Sequence, residues 1–185
     1  MRFRFPVVII DEDFRSENAS GLGIRALAEA IEKEGMEVLG VTQYGDLTSF
    51  AQQQARASAF VLSIDDEELA GSDEDTGKAL QKLRAFVEEV RFRNAEIPIF
   101  LHGETRTARH IPNDILRELN GFIHMLEDTP EFLARYIARE ARAYLDSLVP
   151  PFFRALTHYA ADGSYSWHCP GHSGGVAFLK APIGQ

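Results

Sequence analysis

The sequence predicts an α/β fold in which five parallel strands form one doubly wound sheet, followed by a linker and an incomplete C-terminal segment. Three observations predict it. Short apolar runs alternate with longer amphipathic stretches over residues 1–149, which is the pattern of repeated strand–helix units. The apolar runs are nearly continuous, as in strands that are buried on both faces. From Pro150-Pro151 onward the pattern stops, and prolines, glycines and aromatic residues are interleaved.

The five predicted strands are apolar runs that end in polar or acidic residues. They span 5–10, 36–42, 59–64, 97–101 and 121–126. Parallel strands need crossover connections, and the amphipathic stretches between these runs supply them. Because such crossovers are right-handed, helices are expected on both faces, with the flavodoxin-like strand order 2-1-3-4-5.

Three of the predicted helices, over 21–35, 76–94 and 130–149, carry an apolar face. The five predicted helices span 21–35, 46–57, 76–94, 113–119 and 130–149, and the second is the least regular. Gly35 is expected to end the first helix because glycine accepts the left-handed conformation found there. Thr129 is expected to cap the last helix, with Pro130 at its first position.

The composition and the net charge argue against several classes of partner and cellular location. The 185 residues carry a formal net charge of -9, which argues against nucleic acid or an anionic membrane as a partner. The single cysteine, Cys169, cannot form an internal disulfide. The apolar run near the N-terminus is too short for a signal peptide or a membrane span. We therefore expect a cytoplasmic protein.

Carboxylates cluster at the carboxyl ends of two predicted strands, the edge where sheets of this kind bind ligands. Asp11 and Glu12 follow the first strand, and Asp65 opens the acidic run 65–75 after the third. Carboxylate oxygens are the ligands that Mg²⁺ prefers, so these three residues form a candidate acidic pocket. A solvated loop also explains the acidic run, as does a pH-sensitive patch facing a partner.

This layout resembles the receiver domain of response regulators, whose acidic pair and phospho-accepting aspartate are matched by those three carboxylates. The resemblance breaks down at the other strand ends. The receiver family has a hydroxyl residue after the fourth strand and a lysine after the fifth, where His102, Gly103 and His124 stand here. We therefore expect the scaffold without phosphoryl chemistry, and we assign no metal site. A stand-alone receiver-like signalling or nucleotide-sensing domain is the alternative function.

The segment 21–26 matches the glycine pattern of dinucleotide-binding proteins, G-x-G-x-x-A. That fingerprint places its glycines at the turn from strand to helix, whereas here they lie about ten residues past the strand end. The acidic turn after the first strand is also a poor site for the phosphate of FMN. Both observations argue against a nucleotide cofactor held in the usual way.

The segment 165–184 is the most specific stretch of the sequence, and its residues alone leave three interpretations open. His168, Cys169 and His172 suit zinc, although no fourth ligand is evident. Cys169 is also a candidate nucleophile with a neighbouring histidine as base. The third interpretation is a turn at Pro170-Gly171, with nearby glycines that permit close backbone approach.

The same segment resembles the entry to the major domain of the Orn/Lys/Arg decarboxylases, pyridoxal-phosphate-dependent enzymes of fold type I. The shared pattern is an aromatic-rich strand, then Pro-Gly-His, a Gly-Gly pair and Ala-Phe-x-Lys-x-Pro-x-Gly. It is matched by Pro170, Gly171, His172, Gly174, Gly175, Ala177, Phe178, Lys180, Pro182 and Gly184. Because the family also has a flavodoxin-like N-terminal wing, the resemblance divides the chain into a wing domain (1–149), a linker (150–164) and the beginning of the major domain (165–185).

The resemblance implies that the intact enzyme converts arginine, lysine or ornithine to the amine and CO₂. Its pyridoxal phosphate is held as a Schiff base by a lysine in a Ser-x-His-Lys segment far downstream, and Lys180 is the wrong lysine by position. We therefore expect no catalytic residue in these 185 residues and no activity from them alone. The wing is expected to support homo-oligomer assembly, and in some lysine-specific members of the family it binds a nucleotide effector.

Overall fold

The structure is a computed structural model. It describes residues 5–42, 57–64, 72–103, 109–124 and 127–148, and three short strands further along the chain. The chain divides into two compact units, 1–144 and 145–185. The predicted helix 46–57 lies outside the described residues, except for Ala57.

Five parallel strands form the sheet of the first unit. They are β1 (Val7–Ile10), β2 (Val38–Val41), β3 (Ala59–Ser63), β4 (Ile99–Gly103) and β5 (Gly121–His124). Their order is β2-β1-β3-β4-β5, and Leu62 of β3 pairs with Ile10 on one side and Leu101 on the other. The predicted fold class and strand order are confirmed.

Among the described residues, four α-helices and one short 3-10 helix accompany this sheet. They are the 3-10 helix (Glu12–Arg15), α1 (Ala19–Lys33), α2 (Asp73–Arg93), α3 (Asn113–Glu118) and α4 (Pro130–Leu148). The predicted stop of α1 is confirmed, because Gly35 has a φ of 82°. The predicted cap of α4 is also confirmed, since Oγ1 of Thr129 accepts a hydrogen bond of 3.3 Å from the backbone N–H of Phe132.

Two helices begin earlier than the sequence predicts. The side chain of Asn18 caps α1 by accepting a hydrogen bond of 2.8 Å from the backbone N–H of Gly21. The helix therefore starts at Ala19 rather than Gly21. For α2 the start is Asp73 rather than Thr76. Acidic residues are favourable in a first helical turn because they face the positive end of the helix dipole.

The apolar core lies on both faces of the sheet, because successive side chains of a strand point to opposite faces. One core cluster joins the sheet to α1 and α4. It includes Ile9, Val61, Phe100, Leu27, Ile31, Leu133 and Ile137. The ring of Phe60 meets the ring of Phe86 in α2 edge to face, with centroids 5.5 Å apart.

The second unit contains a three-stranded antiparallel sheet made of β6 (Thr157–Tyr159), β7 (Tyr165–Trp167) and β8 (Phe178–Leu179). β7 lies in the aromatic-rich strand of the family pattern. The sequence does not predict β6 and β8, because strands of two or three residues are too short to show a period. The domain boundary after residue 149 stays a prediction. Among the described residues, no helix combines the length and the apolar character needed to cross a membrane.

Candidate functional site at the carboxyl edge of the sheet

A buried carboxylate and a buried imidazole meet at the carboxyl edge of the sheet. Asp11 directly follows β1, His102 lies in β4, and β3 runs between those two strands. Nε2 of His102 is 2.9 Å from Oδ2 of Asp11, and the two side chains are 9% and 5% exposed. The contact is an ion pair when the imidazole is protonated, although the two groups are not aligned for an N–H···O hydrogen bond. The fold thus brings together two polar groups that are far apart in sequence.

The second carboxylate oxygen of Asp11 has a structural partner. Oδ1 accepts a hydrogen bond of 2.7 Å from the backbone N–H of Asp13 and so caps the 3-10 helix. Both oxygens of Asp11 therefore have a neighbour within the domain. This arrangement favours a structural role for Asp11 over the metal-binding role that the resemblance to receivers implies.

The turn after β1 is held by its own hydrogen bonds. Nδ2 of Asn18 donates to Oδ1 of Asp13 at 2.9 Å, and the guanidinium of Arg25 donates to the backbone oxygens of Phe14 and Ser16. The hydrogen bond from Asn18, aided by one from Ser16, holds the pKa of Asp13 below its ordinary value. The acidic turn is therefore fixed in place by the start of α1.

The predicted acidic pocket is only partly assembled by the described residues. Asp11 is buried and Glu12 beside it is exposed, while Asp65 lies outside the described residues. Within the described ranges, no group of three or more His, Cys, Asp or Glu side chains is arranged to hold a metal ion. The sequence places His102 at this edge but does not pair it with Asp11. The available signal was that both residues come at the ends of buried apolar runs.

The family motif of the C-terminal segment falls mostly outside the described residues. The structure does not describe Lys180 or residues 168–177. That range includes Pro170, Gly171, His172, Gly174 and Gly175. In sequence, residues 168–177 connect β7 to β8, and these two strands pair through Tyr165 with Leu179 and Ser166 with Phe178. The roles of the motif residues stay predictions.

A groove of about 460 Å³ lies between α2 and α3, away from the carboxyl-edge pair. Two arginines of α2 reach across it to carboxylates of α3. Arg84 pairs with Asp114, and Nε of Arg91 is 3.5 Å from Oε2 of Glu118. The aromatic ring of Phe92, next to Arg91, borders the groove and is 89% exposed.

The described residues do not fit pyridoxal phosphate. That cofactor needs a lysine inside a pocket. Lys33, Lys78 and Lys82 are exposed on helix surfaces and do not line the groove between α2 and α3. Lys180 lies outside the described residues. No catalytic step is therefore assigned to the part of the chain that the structure describes.

Comparison with known protein families gives two matches in succession along the chain. The model of the Orn/Lys/Arg decarboxylase N-terminal domain matches residues 19–144, well over half of the chain. The model of the Orn/Lys/Arg decarboxylase major domain matches residues 150–185. The chain belongs to the Orn/Lys/Arg decarboxylase family. The resemblance drawn from the C-terminal motif is thereby confirmed.

Curated relatives include decarboxylases of different basic amino acids. The lysine decarboxylase LdcA of Pseudomonas aeruginosa is 36% identical over 185 residues, which cover 98% of this chain and 24% of LdcA. The biodegradative arginine decarboxylase of Escherichia coli K12 is 29% identical over 181 residues, covering 97% of this chain and 23% of that protein. The chain thus spans about a quarter of the length of these relatives.

Solved structures agree with both the family and the fold. Lysine decarboxylase A from Pseudomonas aeruginosa superposes with a TM-score of 0.72 at 32% identity, covering 94% of this chain and 23% of that one. A response regulator receiver domain protein from Clostridium thermocellum superposes with a TM-score of 0.53 at 12% identity, covering 78% of this chain and 98% of that one. The second match shows a shared fold and nothing further.

Proposed function

We propose that this chain is the N-terminal part of a longer pyridoxal-phosphate-dependent decarboxylase, which converts a basic amino acid to the amine and CO₂. The observation that carries the proposal is the succession of the two family matches, the N-terminal domain followed directly by the start of the major domain. The similarity to LdcA over 98% of this chain supports the same order. Relatives that decarboxylate lysine, arginine and ornithine make all three amino acids candidate substrates.

The chemistry is proposed to reside in the part of the protein beyond these 185 residues. Pyridoxal phosphate supplies an electron sink when it is bound, which lets the carboxylate leave as CO₂. The three described lysines are on exposed helix surfaces, so we expect the chain alone to be inactive. The motif from Pro170 to Lys180 is proposed to lead the chain into the catalytic domain.

The wing domain, residues 1–149, is proposed to serve homo-oligomer assembly and to bind a nucleotide effector. Support comes from large apolar side chains that are exposed on its helices and would leave water at a contact. They are Leu22, Phe92, Phe132 and Leu148. A cytoplasmic location is part of the same proposal, because a single cysteine suits a reducing compartment.

The alternative function is a stand-alone receiver-like signalling or nucleotide-sensing domain. The shared receiver fold is the observation in its favour. The structural engagement of both oxygens of Asp11 speaks against phosphoryl transfer. Incubation with acetyl phosphate and Mg²⁺ is expected to leave no acyl phosphate on the chain, and a label at Asp65 would support the alternative.

The decisive experiment uses the full-length protein. Its reading frame is expected to contain a Ser-x-His-Lys segment beyond residue 185. The purified protein is incubated with pyridoxal phosphate and carboxyl-labelled lysine, arginine or ornithine, and released CO₂ is counted. Release from at least one substrate is expected, and the 185-residue chain under the same conditions should release none. A full-length protein that releases no CO₂ from any of the three would overturn the proposal.

A further inference from the structure

We propose that the exposed face of α4 binds an acidic segment of a different protein. Three arginines, Arg135, Arg139 and Arg142, define this surface and form the arginine stripe. The stripe takes no part in the proposed decarboxylation. The inference therefore goes beyond that function and does not depend on it.

The arginine stripe lies on the outer side of α4. Its members are separated by four and then three residues, a spacing that places side chains on one helix face, here over roughly 10 Å. All three arginines are exposed. The opposite side of the helix packs in the core through Leu133, Ile137 and Ala141. The stripe is thus a surface feature that the packing of the domain does not use.

The guanidinium groups of the stripe are only weakly engaged by their own domain. Arg139 pairs with Glu140 at 2.8 Å, yet its side chain remains 69% exposed, and exposed pairs contribute little. Arg142 donates to the backbone oxygen of Glu34. Arg135 has no hydrogen bond or ion pair among the described residues. Because a guanidinium carries five N–H donors, the stripe retains donors for a carboxylate partner.

The stripe concentrates positive charge on an acidic chain, whose net charge is -9. Two exposed carboxylates of α4 lie beyond the ends of the stripe, Glu131 in the first turn and Asp146 near the last. Neither forms an ion pair with a stripe arginine in the part of the chain that the structure describes. The middle of α4 is therefore positive, and complementary charge steers an anionic partner toward it.

Shape and charge together select a polypeptide as that partner. Small ligands bind in concave pockets, whereas the outer face of a helix is convex. Nucleic acid and anionic membranes are large polyanions, which the net charge of -9 repels. A two-fold contact with a second copy would use the same patch on both chains and so bring two positive stripes together. A short acidic segment of another protein meets the stripe without these penalties.

The first test measures binding of a labelled acidic peptide to the full-length protein by fluorescence anisotropy at low salt. The peptide is helical, has about twelve residues and carries glutamates separated by four and then three residues, to match the stripe. Arg135→Glu is expected to weaken binding at least about fivefold, because like charges then face each other. Arg117→Glu makes the same charge change at an exposed arginine of α3 and is expected to leave binding within about twofold.

The controls of this test decide whether the contact is the proposed one. The same peptide with glutamine in place of glutamate is expected not to bind, and circular dichroism checks that both variants remain folded. A wild-type protein that does not bind the glutamate peptide would overturn the inference. So would an equal loss of binding in Arg135→Glu and Arg117→Glu, since that result reports net charge and not the stripe.

The second test compares other occupants of the same surface. Binding of a labelled single-stranded oligonucleotide, of ATP and of phosphatidylserine vesicles is measured for the wild type and both variants, and self-association is measured by analytical ultracentrifugation. Arg135→Glu is expected to change none of these and to release CO₂ as the wild type does. A loss confined to Arg135→Glu in one of these assays, with binding tighter than that of the peptide, would assign the stripe to that partner instead. Altered self-association of Arg135→Glu alone would assign it to a second copy.

Discussion

The imidazole of His102 lies against the carboxylate of Asp11 across the end of the central strand, with 2.9 Å between Nε2 and Oδ2. Each group is almost fully buried, so each needs the other as a polar neighbour. Removal of one partner from a buried pair leaves an uncompensated group in a poorly solvated site. The pair is therefore expected to contribute to the stability of the wing domain.

Replacement of His102 by leucine tests this expectation. The substitution fills a similar volume but leaves Oδ2 of the buried Asp11 carboxylate without the imidazole nitrogen beside it. We expect the free energy of unfolding at pH 7 to fall by about 3 kcal/mol, measured by urea denaturation. Glu17→Gln, which changes an exposed carboxylate in the following turn, should alter it by less than about 0.5 kcal/mol.

A double-mutant cycle separates the pair from the loss of packing. Asp11→Asn keeps an oxygen to cap the 3-10 helix but removes the charge. In that background His102→Leu should cost at least about 1 kcal/mol less than in the wild type. Equal costs in the two backgrounds would show that His102 stabilises the domain through packing alone.

The sequence predicts the sheet well because each buried strand is a continuous apolar run, and parallel strands need the helices found between them. Helix starts are less accurate, since the cap of α1 depends on the side-chain geometry of Asn18. The antiparallel strands β6 and β8 are missed because they are too short to show a period.

The candidate site is harder to predict than the sheet. Asp11 and Glu12 are neighbours with the same chemistry, yet the first is buried and the second exposed. Asp11 caps the 3-10 helix Glu12–Arg15, whereas Glu12 lies in its first turn. The sequence has no clear signal for this short helix. The pairing of Asp11 with His102 follows from strand order and register together, which bring two separate strand ends within reach across β3. The spacing of Asp11 and His102 along the chain does not predict that contact.

The acidic turn after β1 gives a prediction about pH. The pKa of Asp13 is held below its ordinary value of 3.8, chiefly by the hydrogen bond from Asn18. A depressed pKa means that this interaction is fully present above pH 3.8 and is lost as the pH falls further, through the folded-state pKa. Carboxyl-resolved NMR titration should therefore find Asp13 titrating below 3.8 in the wild type.

Two substitutions of Asn18 separate this effect from helix capping. Asn18→Ser and Asn18→Ala both remove the amide N–H, so both should raise the pKa of Asp13 toward its ordinary value. Serine still caps α1, whereas alanine does not, so only Asn18→Ala should also lose about 1 kcal/mol of stability. An unchanged Asp13 titration in Asn18→Ser would mean that Asn18 is not the main cause of the shift.

Arg91 lies near the end of α2 and contacts the turns that precede β4 and β5. Its guanidinium donates to the backbone oxygens of Ile97 at 2.7 Å and Glu118 at 3.0 Å, and to Oδ1 of Asn120 at 3.2 Å. Lysine keeps the charge but cannot make these contacts at once. Arg91→Lys is expected to reduce the free energy of unfolding by about 2 kcal/mol in urea denaturation.

Arg93→Lys is the matched control for Arg91→Lys. Arg93 lies on the same helix and pairs with Glu89 one turn earlier, where the two side chains are 46% and 30% exposed. Exposed pairs of this spacing contribute little, and lysine can replace arginine in them. The control should therefore change stability by less than about 0.5 kcal/mol. Similar losses in the two variants would show that the backbone contacts of Arg91 are not decisive.

Two glycine-to-alanine substitutions are expected to have opposite effects. Gly40 lies in β2, and a Cβ added there would overlap the ring of Phe14. Gly77 lies in α2, where an added Cβ meets no atom within 4 Å. Gly40→Ala should destabilise the domain by about 1–3 kcal/mol through overpacking. Gly77→Ala should stabilise it by up to about 1 kcal/mol, because alanine favours the helix.

The cause of the Gly40→Ala loss can be isolated with a second change at Phe14. Phe14→Leu shortens the side chain that the new methyl group would meet. Since the clash is the proposed cause, the double variant should recover part of the loss, so that the two changes together cost less than their sum. Thermal and urea denaturation measure both steps. Strict additivity would mean that Gly40 is required by the backbone of β2 and not by the ring of Phe14.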